Sequence, residues 1–416
     1  MFKILKKDKS TNARTGILIT PHGKILTPAY TIVATHAEIK CLKSQDIVKT
    51  KTQVVISNTY HLWNKINSKR RTHNEEPKNK TSNDKTESFL IKSLKVKMPT
   101  MTDSGGFQVF SLRYSDKRYG KILQSTSDLF HDRIINKISK NKTPNVKITN
   151  KGVFFSIDGP STKLRASQKR FLGPELSMKL QESLGADIIF AFDECTSPLD
   201  NLAYNKKALV RTHRWAKICL AQNEKRKMQN QTPKQLLFGI VQGGRFKSLR
   251  VKSAKFIGSL PFDGFGIGGS FGKDEMIKTL KIVVPHLPEE KPRHLLGIGK
   301  IRDVFYAVEN GIDSFDCVIP TREARHGRIY TQHGHYDILK NRDKNISLEK
   351  GCKCPACKLN ITKSKLNTLF KTDLPRAQRF ATLHNVWFFN NLMKNIRASI
   401  DGGSFKTFKK KFLSRV

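Results

Sequence analysis

Three short stretches carry acids where chemistry could be done. Asp103 opens Asp103-Ser104-Gly105-Gly106-Phe107-Gln108, Asp193 opens Asp193-Glu194-Cys195, and Asp316 precedes Cys317. Each ends a short apolar run, and Asp158 sits similarly after 154–157. Carboxylates that converge from several strand ends can serve as nucleophile and as general acid or base. A single such Asp reads more simply as the cap of the next helix; three at matching positions do not. Two glycine-rich strand ends, Gly239-Ile240-Val241-Gln242-Gly243-Gly244 and Gly266-Ile267-Gly268-Gly269-Ser270-Phe271-Gly272, offer bare backbone amides to a heterocycle or a phosphate. Gln242 adds an amide able to read a base edge, although Gly-Gly alone is a tight-turn signal. Arg322, Arg325 and Arg328 follow Asp316 closely, and guanidinium forks there would suit phosphates flanking a reacting nucleotide. Taken alone, they form a solvated basic loop.

Cys352, Cys354 and Cys357 crowd into six residues, and His384 follows in a helical pattern with Phe380, Leu383 and Trp387. Three thiolates and one imidazole saturate a tetrahedral zinc ion, which makes a closed structural site with no open catalytic position. The alternative is a reduced cysteine cluster beside an unrelated core histidine. The other four cysteines are scattered, and seven is an odd number for a disulfide framework, so a reducing compartment is expected.

These residues need a scaffold that brings strand ends together. Eight apolar runs rich in Val, Ile and Phe lie at 28–33, 53–57, 99–103, 186–193, 236–242, 264–269, 294–299 and 314–318. Helical signals separate several of them. Gly173-Pro174-Glu175 opens a helix carrying Leu176, Leu180 and Leu184 that stops at Gly185, and another runs over 202–225. Continuous apolar strands alternating with helices predict a parallel sheet covered on both faces. Eight of them predict an α/β fold, a (β/α)8 TIM barrel with its site at the C-terminal strand ends. The predicted organisation is a barrel over 1–345, a zinc-binding subdomain with a C-terminal helix over 346–400, and a basic tail over 401–416.

Lys and Arg number 77 against 34 Asp and Glu, a net charge of +43, which points to a polyanionic partner and first to nucleic acid. The excess concentrates in two segments that break the barrel rhythm. Residues 64–97 carry ten basic against four acidic residues, and residues 113–151 carry ten against three. Both read as insertions, and the stretch from Phe405 adds five basic residues and no acid. A 38% hydrophobic content supports a sizeable core and argues against wholesale disorder. No run approaches a membrane span or a secretory leader, so no membrane partner and a cytoplasmic setting are expected.

Together, Asp-Ser-Gly-Gly-Phe-Gln-Val-Phe-Ser-Leu (103–112), Phe-Asp-Glu-Cys (192–195), Gly-Ile-Val-Gln-Gly-Gly (239–244), Ser-Phe-Asp-Cys-Val-Ile-Pro-Thr-Arg (314–322) and the Cys/Cys/Cys/His set resemble the tRNA-guanine transglycosylase family. The likeness runs in order over about 16–391. It implies a zinc-bearing barrel that cuts the glycosidic bond of a guanine in tRNA and installs a 7-deazaguanine base without breaking the strand. By the resemblance Asp316 is the nucleophile, forming a covalent bond to ribose, and Asp103 is the general acid/base. Asp193 recognises the base with Gln242, Gly268 and Gly269, and Cys195 lies in the same pocket. Phe107 stacks on the base, Leu296 lies on its other side, and Arg322, Arg325 and Arg328 contact RNA. The branch implied is the bacterial and eukaryotic one, acting at the wobble guanine of GUN-anticodon tRNAs for Asp, Asn, His and Tyr, because only 32 residues follow His384. Homodimerisation through the zinc region is carried over from bacterial members. Ser270, Phe271 and Gly272 depart from the family pattern: Gly272 would make the pocket roomier, as in enzymes that admit queuine, whereas Cys195 looks bacterial. The incoming base is thus either 7-aminomethyl-7-deazaguanine or queuine. Rival readings are a non-catalytic, zinc-containing tRNA-binding partner subunit, which would have lost the acids, a zinc-bearing RNA-binding or chaperone-like protein on a barrel relic, and a carbohydrate-active barrel.

Overall fold

The computed structural model describes residues 1–72, 88–111, 146–157, 168–228, 235–269, 275–340 and 345–416. Eight parallel strands close a barrel in chain order: Ala29–Val33, Val55–Ser57, Thr100–Thr102, Ile188–Phe190, Leu236–Val241, Gly264–Ile267, Arg293–Leu295 and Ser314–Cys317. Each falls in or against one of the eight apolar runs. Their side chains are buried on both faces, which is why the runs read as continuous rather than alternating.

The chain packs as two compact units. The first comprises Met1–Ile56, Leu90–Thr100 and Pro292–Val416. In it the last barrel strand pairs with the first (Asp316 opposite Thr31), the first with the second (Ile32 opposite Val55), and the seventh with the eighth (Leu295 opposite Phe315). A buried bidentate pair fixes the start of the eighth strand, with Arg14 Nε and Nη2 donating to the two oxygens of Asp313 at 2.9 and 2.7 Å. The Asp313 carboxylate also accepts from the Arg293 backbone N–H, which locks the seventh strand to the eighth. Before the barrel lies an antiparallel sheet of Phe2–Lys7, Arg14–Thr20 and Gly23–Thr27. A long helix, Leu374–Asp401, crosses this unit. Arg379 makes a bidentate pair with Asp46, Asn390 donates to Thr50 O, and Arg397 donates to Pro28 O. The basic stretch after it is a helix, Phe405–Leu413, whose Phe405, Phe408 and Phe412 surround Phe305.

The second unit comprises Ser57–Phe89 and Met101–Lys291. Here Ile188–Phe190 pairs with Thr100–Thr102 and with Leu236–Val241, which pairs in turn with Gly264–Ile267. The helix expected after Gly173 spans Pro174–Leu184 and ends on Gly185 at φ +70°, a left-handed cap that suits glycine. Its Gln181 caps the end of the strand Ile188–Phe190, accepting from Phe190 N–H and donating to Phe190 O. The long helix expected over 202–225 spans Leu202–Met228. The first basic segment starts within the helix Thr59–Thr72 and ends beyond Phe89–Leu94, with 73–87 outside the described residues. Most of the second, 112–145, lies outside them too, as do Asp158 and 270–274 with Gly272. Among the described residues, no helix is long and apolar enough to cross a membrane.

Candidate active site and metal cluster

In the second unit, the third barrel strand stops at Thr102 and places Asp103 at its C-terminal end. Its carboxylate collects four donors: Asn58 Nδ2 at 2.5 Å, Thr59 N–H at 3.0 Å, Gly105 N–H at 3.0 Å and Gln108 Nε2 at 3.4 Å. Gly105 holds φ +76°, the left-handed turn that lets its amide fold back on the acid. Ser104 then reaches across to Asp193, its hydroxyl 3.4 Å from Oδ1.

Asp193 and Glu194 are adjacent acids with opposite fates. Glu194 is consumed by structure, accepting from Arg211 Nε and Nη2 at 2.6 and 2.9 Å and from the Tyr204 hydroxyl at 2.6 Å. Asp193 instead accepts from Gln242 Nε2 at 2.7 Å. Burial pushes its carboxyl up to about 6, against the lowering effect of the Gln242 and Ser104 hydrogen bonds. Gln242 Oε1 is buried and has no hydrogen-bond partner among the described residues. An ionisable carboxyl and an unsatisfied amide oxygen side by side ask for a ligand that presents N–H groups. Burial also pushes the neighbouring Cys195 thiol up to about 12, so it packs as a neutral group.

The glycine-rich strand ends are pinned by one residue that the sequence did not single out. Arg250 is fully buried and donates to the carbonyls of Gly244, Val241 and Gly268 at 2.8, 3.2 and 2.6 Å. Gly268 N–H donates to Val241 O, and Gly269 turns at φ +123°, where a Cβ would strike the Arg250 guanidinium. Gly268 is equally constrained, since a Cβ there would lie 2.6 Å from Gln242 Nε2. Asp103, Asp193, Gln242, Gly268 and Gly269 are therefore one connected set. Phe107 lies half-buried in the next helix, Gly106–Ser111.

Asp316 belongs to the other unit and is the last residue but one of the eighth strand. Its Oδ1 accepts from Gly297 N–H at 3.1 Å and lies 3.1 Å from His294 Nε2. Its Oδ2 has no hydrogen bond among the described residues. Leu296 is half-buried between these two donors in the chain. Arg322 and Arg325 stand on a helix, Ile319–Arg325, opened by Pro320, rather than in a loop. Arg328 begins the next strand, paired with Glu323 at 3.2 Å.

The same unit carries the cysteine cluster. His384 Nδ1 lies 3.8, 3.4 and 3.9 Å from the sulfurs of Cys352, Cys354 and Cys357. A tetrahedral ion bonded at about 2.3 Å to sulfur and about 2.0 Å to nitrogen sets that edge at roughly 3.5 Å, so the donors fit one ion. His384 is fully buried on the long helix, and its Nε2 faces Tyr330 O at 2.8 Å. A carbonyl only accepts, so Nε2 carries the proton and Nδ1 turns its lone pair to the thiols. Asn385 secures that carbonyl by bonding Tyr330 N–H and Arg328 O.

Three residues with functional placement escaped the sequence reading: Asn58, Arg250 and His294. Asn58 directly follows a barrel strand, as Asp103 does, and His294 is a polar residue at the head of an apolar run. Both were open to the strand-end logic applied to Asp103 and Asp316.

Fold and site define the class: a (β/α)8 barrel enzyme with acids at its strand ends and a Cys3His cluster in its C-terminal segment. The chain belongs to the queuine tRNA-ribosyltransferase family, which matches it over residues 8–416. It is therefore a pentosyltransferase by family. It is 37% identical over 422 residues to a queuine tRNA-ribosyltransferase of Clostridium perfringens, covering 99% of this chain and 97% of that one. It is 38% identical over 426 residues to one of Clostridium botulinum, covering 99% and 98%. A relative from Archaeoglobus fulgidus is 39% identical over 416 residues, 96% of each chain.

Proposed function

We propose that this chain exchanges the wobble guanine of GUN-anticodon tRNAs for a 7-deazaguanine base in the cytoplasm. The observation that carries the reading is Asp316: one carboxylate oxygen is held by two nitrogens and the other has no hydrogen bond among the described residues. Oδ2 attacks the ribose anomeric carbon. The bond to the guanine nitrogen breaks, and its electron pair leaves with the base. Asp103 acts as general acid to the departing guanine and as general base to the incoming one, and its dense donor set holds it in place for both. Asp193, as carboxylate, accepts the N–H groups of the guanine edge, with Gln242, Gly268 and Gly269 completing that contact and Cys195 lining it. Phe107 and Leu296 sandwich the ring. Arg322, Arg325 and Arg328 bind the flanking phosphates, in keeping with the +43 charge.

Cys352, Cys354, Cys357 and His384 would hold one zinc ion, a closed four-ligand site that stabilises the fold of 346–400 and leaves no position for substrate. This segment is also where we place a homodimer contact. The incoming base is 7-aminomethyl-7-deazaguanine or queuine.

The test is base exchange with a GUN-anticodon tRNA and radiolabelled guanine, competed by each candidate base. Label should enter the RNA with wild-type protein. Asp316→Asn should abolish it while tRNA affinity stays within a few fold of wild type. Label that survives Asp316→Asn would remove the nucleophile from this account.

A further inference from the structure

His294 is fully buried in the seventh barrel strand, between two groups of the eighth. Its Nε2 lies 3.1 Å from Asp316 Oδ1, and its Nδ1 lies 2.8 Å from Ser314 Oγ. The two contacts are two residues apart on one strand, so both side chains point to the same face and grip the ring from both ends. A carboxylate oxygen accepts, which places a proton on Nε2. With the neutral ring, the Ser314 hydroxyl then donates to Nδ1 and fixes that tautomer.

We propose that His294 is a positioning residue that returns Asp316 as a leaving group in the second half of the exchange; this rests on the reading of Asp316 as nucleophile. In the first half, Oδ2 bonds to the anomeric carbon and the carboxylate loses its charge. Oδ1 becomes an ester carbonyl, a weaker acceptor. In the second half, a nitrogen lone pair of the incoming base bonds to the same carbon, and the carbon–Oδ2 bond breaks. Its electron pair returns to the carboxylate, and the proton of the attacking nitrogen passes to Asp103. As charge returns, the hydrogen bonds from His294 Nε2–H and Gly297 N–H to Oδ1 strengthen. Both donors act on the oxygen that never bonds to ribose. They therefore favour the free carboxylate over the ester without blocking attack, and they keep the covalent adduct from accumulating.

The experiment uses the full-length, metal-loaded protein with a GUN-anticodon tRNA and radiolabelled guanine. It compares wild type, His294→Asn, His294→Gln and Asp316→Asn. Asn can keep the Ser314 contact but is too short to reach Asp316, whereas Gln places a donor near the Nε2 position. Turnover, the KM for tRNA and the fraction of tRNA surviving denaturation as a protein adduct are read together. Loss of a hydrogen bond to a charged group lowers turnover about 10- to 100-fold in His294→Asn. The adduct fraction should rise above wild type while KM moves less than about threefold, and His294→Gln should recover most of the turnover. A purely structural role would reduce adduct and turnover in proportion, and that result overturns the proposal. So does wild-type turnover in His294→Asn. Exchange that needs Asp316 but is indifferent to His294 sinks this inference alone. No exchange by wild type removes both it and the reading beneath it.

Discussion

Lowering the pH from 7 to 5 neutralises Asp193, and the affinity for free guanine should fall with it. Burial pushes this carboxyl up to about 6. A ligand that offers N–H donors is bound by the carboxylate and not by the acid. The ionised fraction is about nine-tenths at pH 7, about half at pH 6 and about one-tenth at pH 5, so the dissociation constant should rise about tenfold across that span. The sign follows from the direction of the shift: a raised acid loses its charge as pH falls through its own value. Asp193→Asn removes both the charge and the titration. It should weaken guanine binding about 10- to 100-fold at pH 7 and leave the remainder flat from pH 7 to 5. Calorimetric titration of the full chain with guanine at pH 5, 6 and 7 measures this directly, with no tRNA present to add its own ionic dependence. Equal affinity at pH 7 and 5 in wild type, or the same decline in Asp193→Asn, would refute the assignment of Asp193 as the charged acceptor.

Replacing Cys354, the fully buried thiol nearest His384 Nδ1, with serine should lower bound metal by at least tenfold on elemental analysis. It should also lower the melting temperature more than any surface substitution. Arg211→Met strands the Glu194 carboxylate, which is nearly inaccessible; the expected loss is about 3 to 5 kcal/mol by chemical denaturation. Replacing both partners together, Arg211→Met with Glu194→Gln, should recover a large part of that loss.

The barrel was legible because its strands are buried on both faces and so read as unbroken apolar runs, several of them ending in an acid or a glycine. The helix from Pro174 was legible for the same kind of reason, with proline at its start and a left-handed glycine at its end. The sheet of Phe2–Lys7, Arg14–Thr20 and Gly23–Thr27 left no such trace. Its first strand, Phe-Lys-Ile-Leu-Lys-Lys, is mostly exposed and its lysines mask the alternation. The stretch from Phe405 read as a charged tail because lysines dominate it, yet Phe405, Phe408 and Phe412 keep a helical spacing against Phe305. At the site, the acids announced themselves by position. Asn58 and His294 shared that strand-end signal, whereas Arg250, inside the helix Lys247–Gly258, gains meaning only from the carbonyls it touches. The Asp-Glu pair could not be divided into a ligand acid and a structural acid until Arg211 was seen on Glu194.

The first unit is discontinuous: its N-terminal 56 residues pack with a segment that begins at Pro292. On a ribosome, roughly 240 residues must be added in between, a delay of about 10 to 50 s at ordinary elongation rates. Until then Ala29–Val33 has no eighth strand beside it, Arg14 has no Asp313, and Pro28 O and Thr50 O await donors from a helix not yet made. The nascent chain thus carries a strand edge without its eighth-strand neighbour, and Arg14 without its carboxylate, for most of its synthesis. Any messenger cut short before Ser314–Cys317 yields a product with that edge still open, a clear substrate for chaperones and proteases.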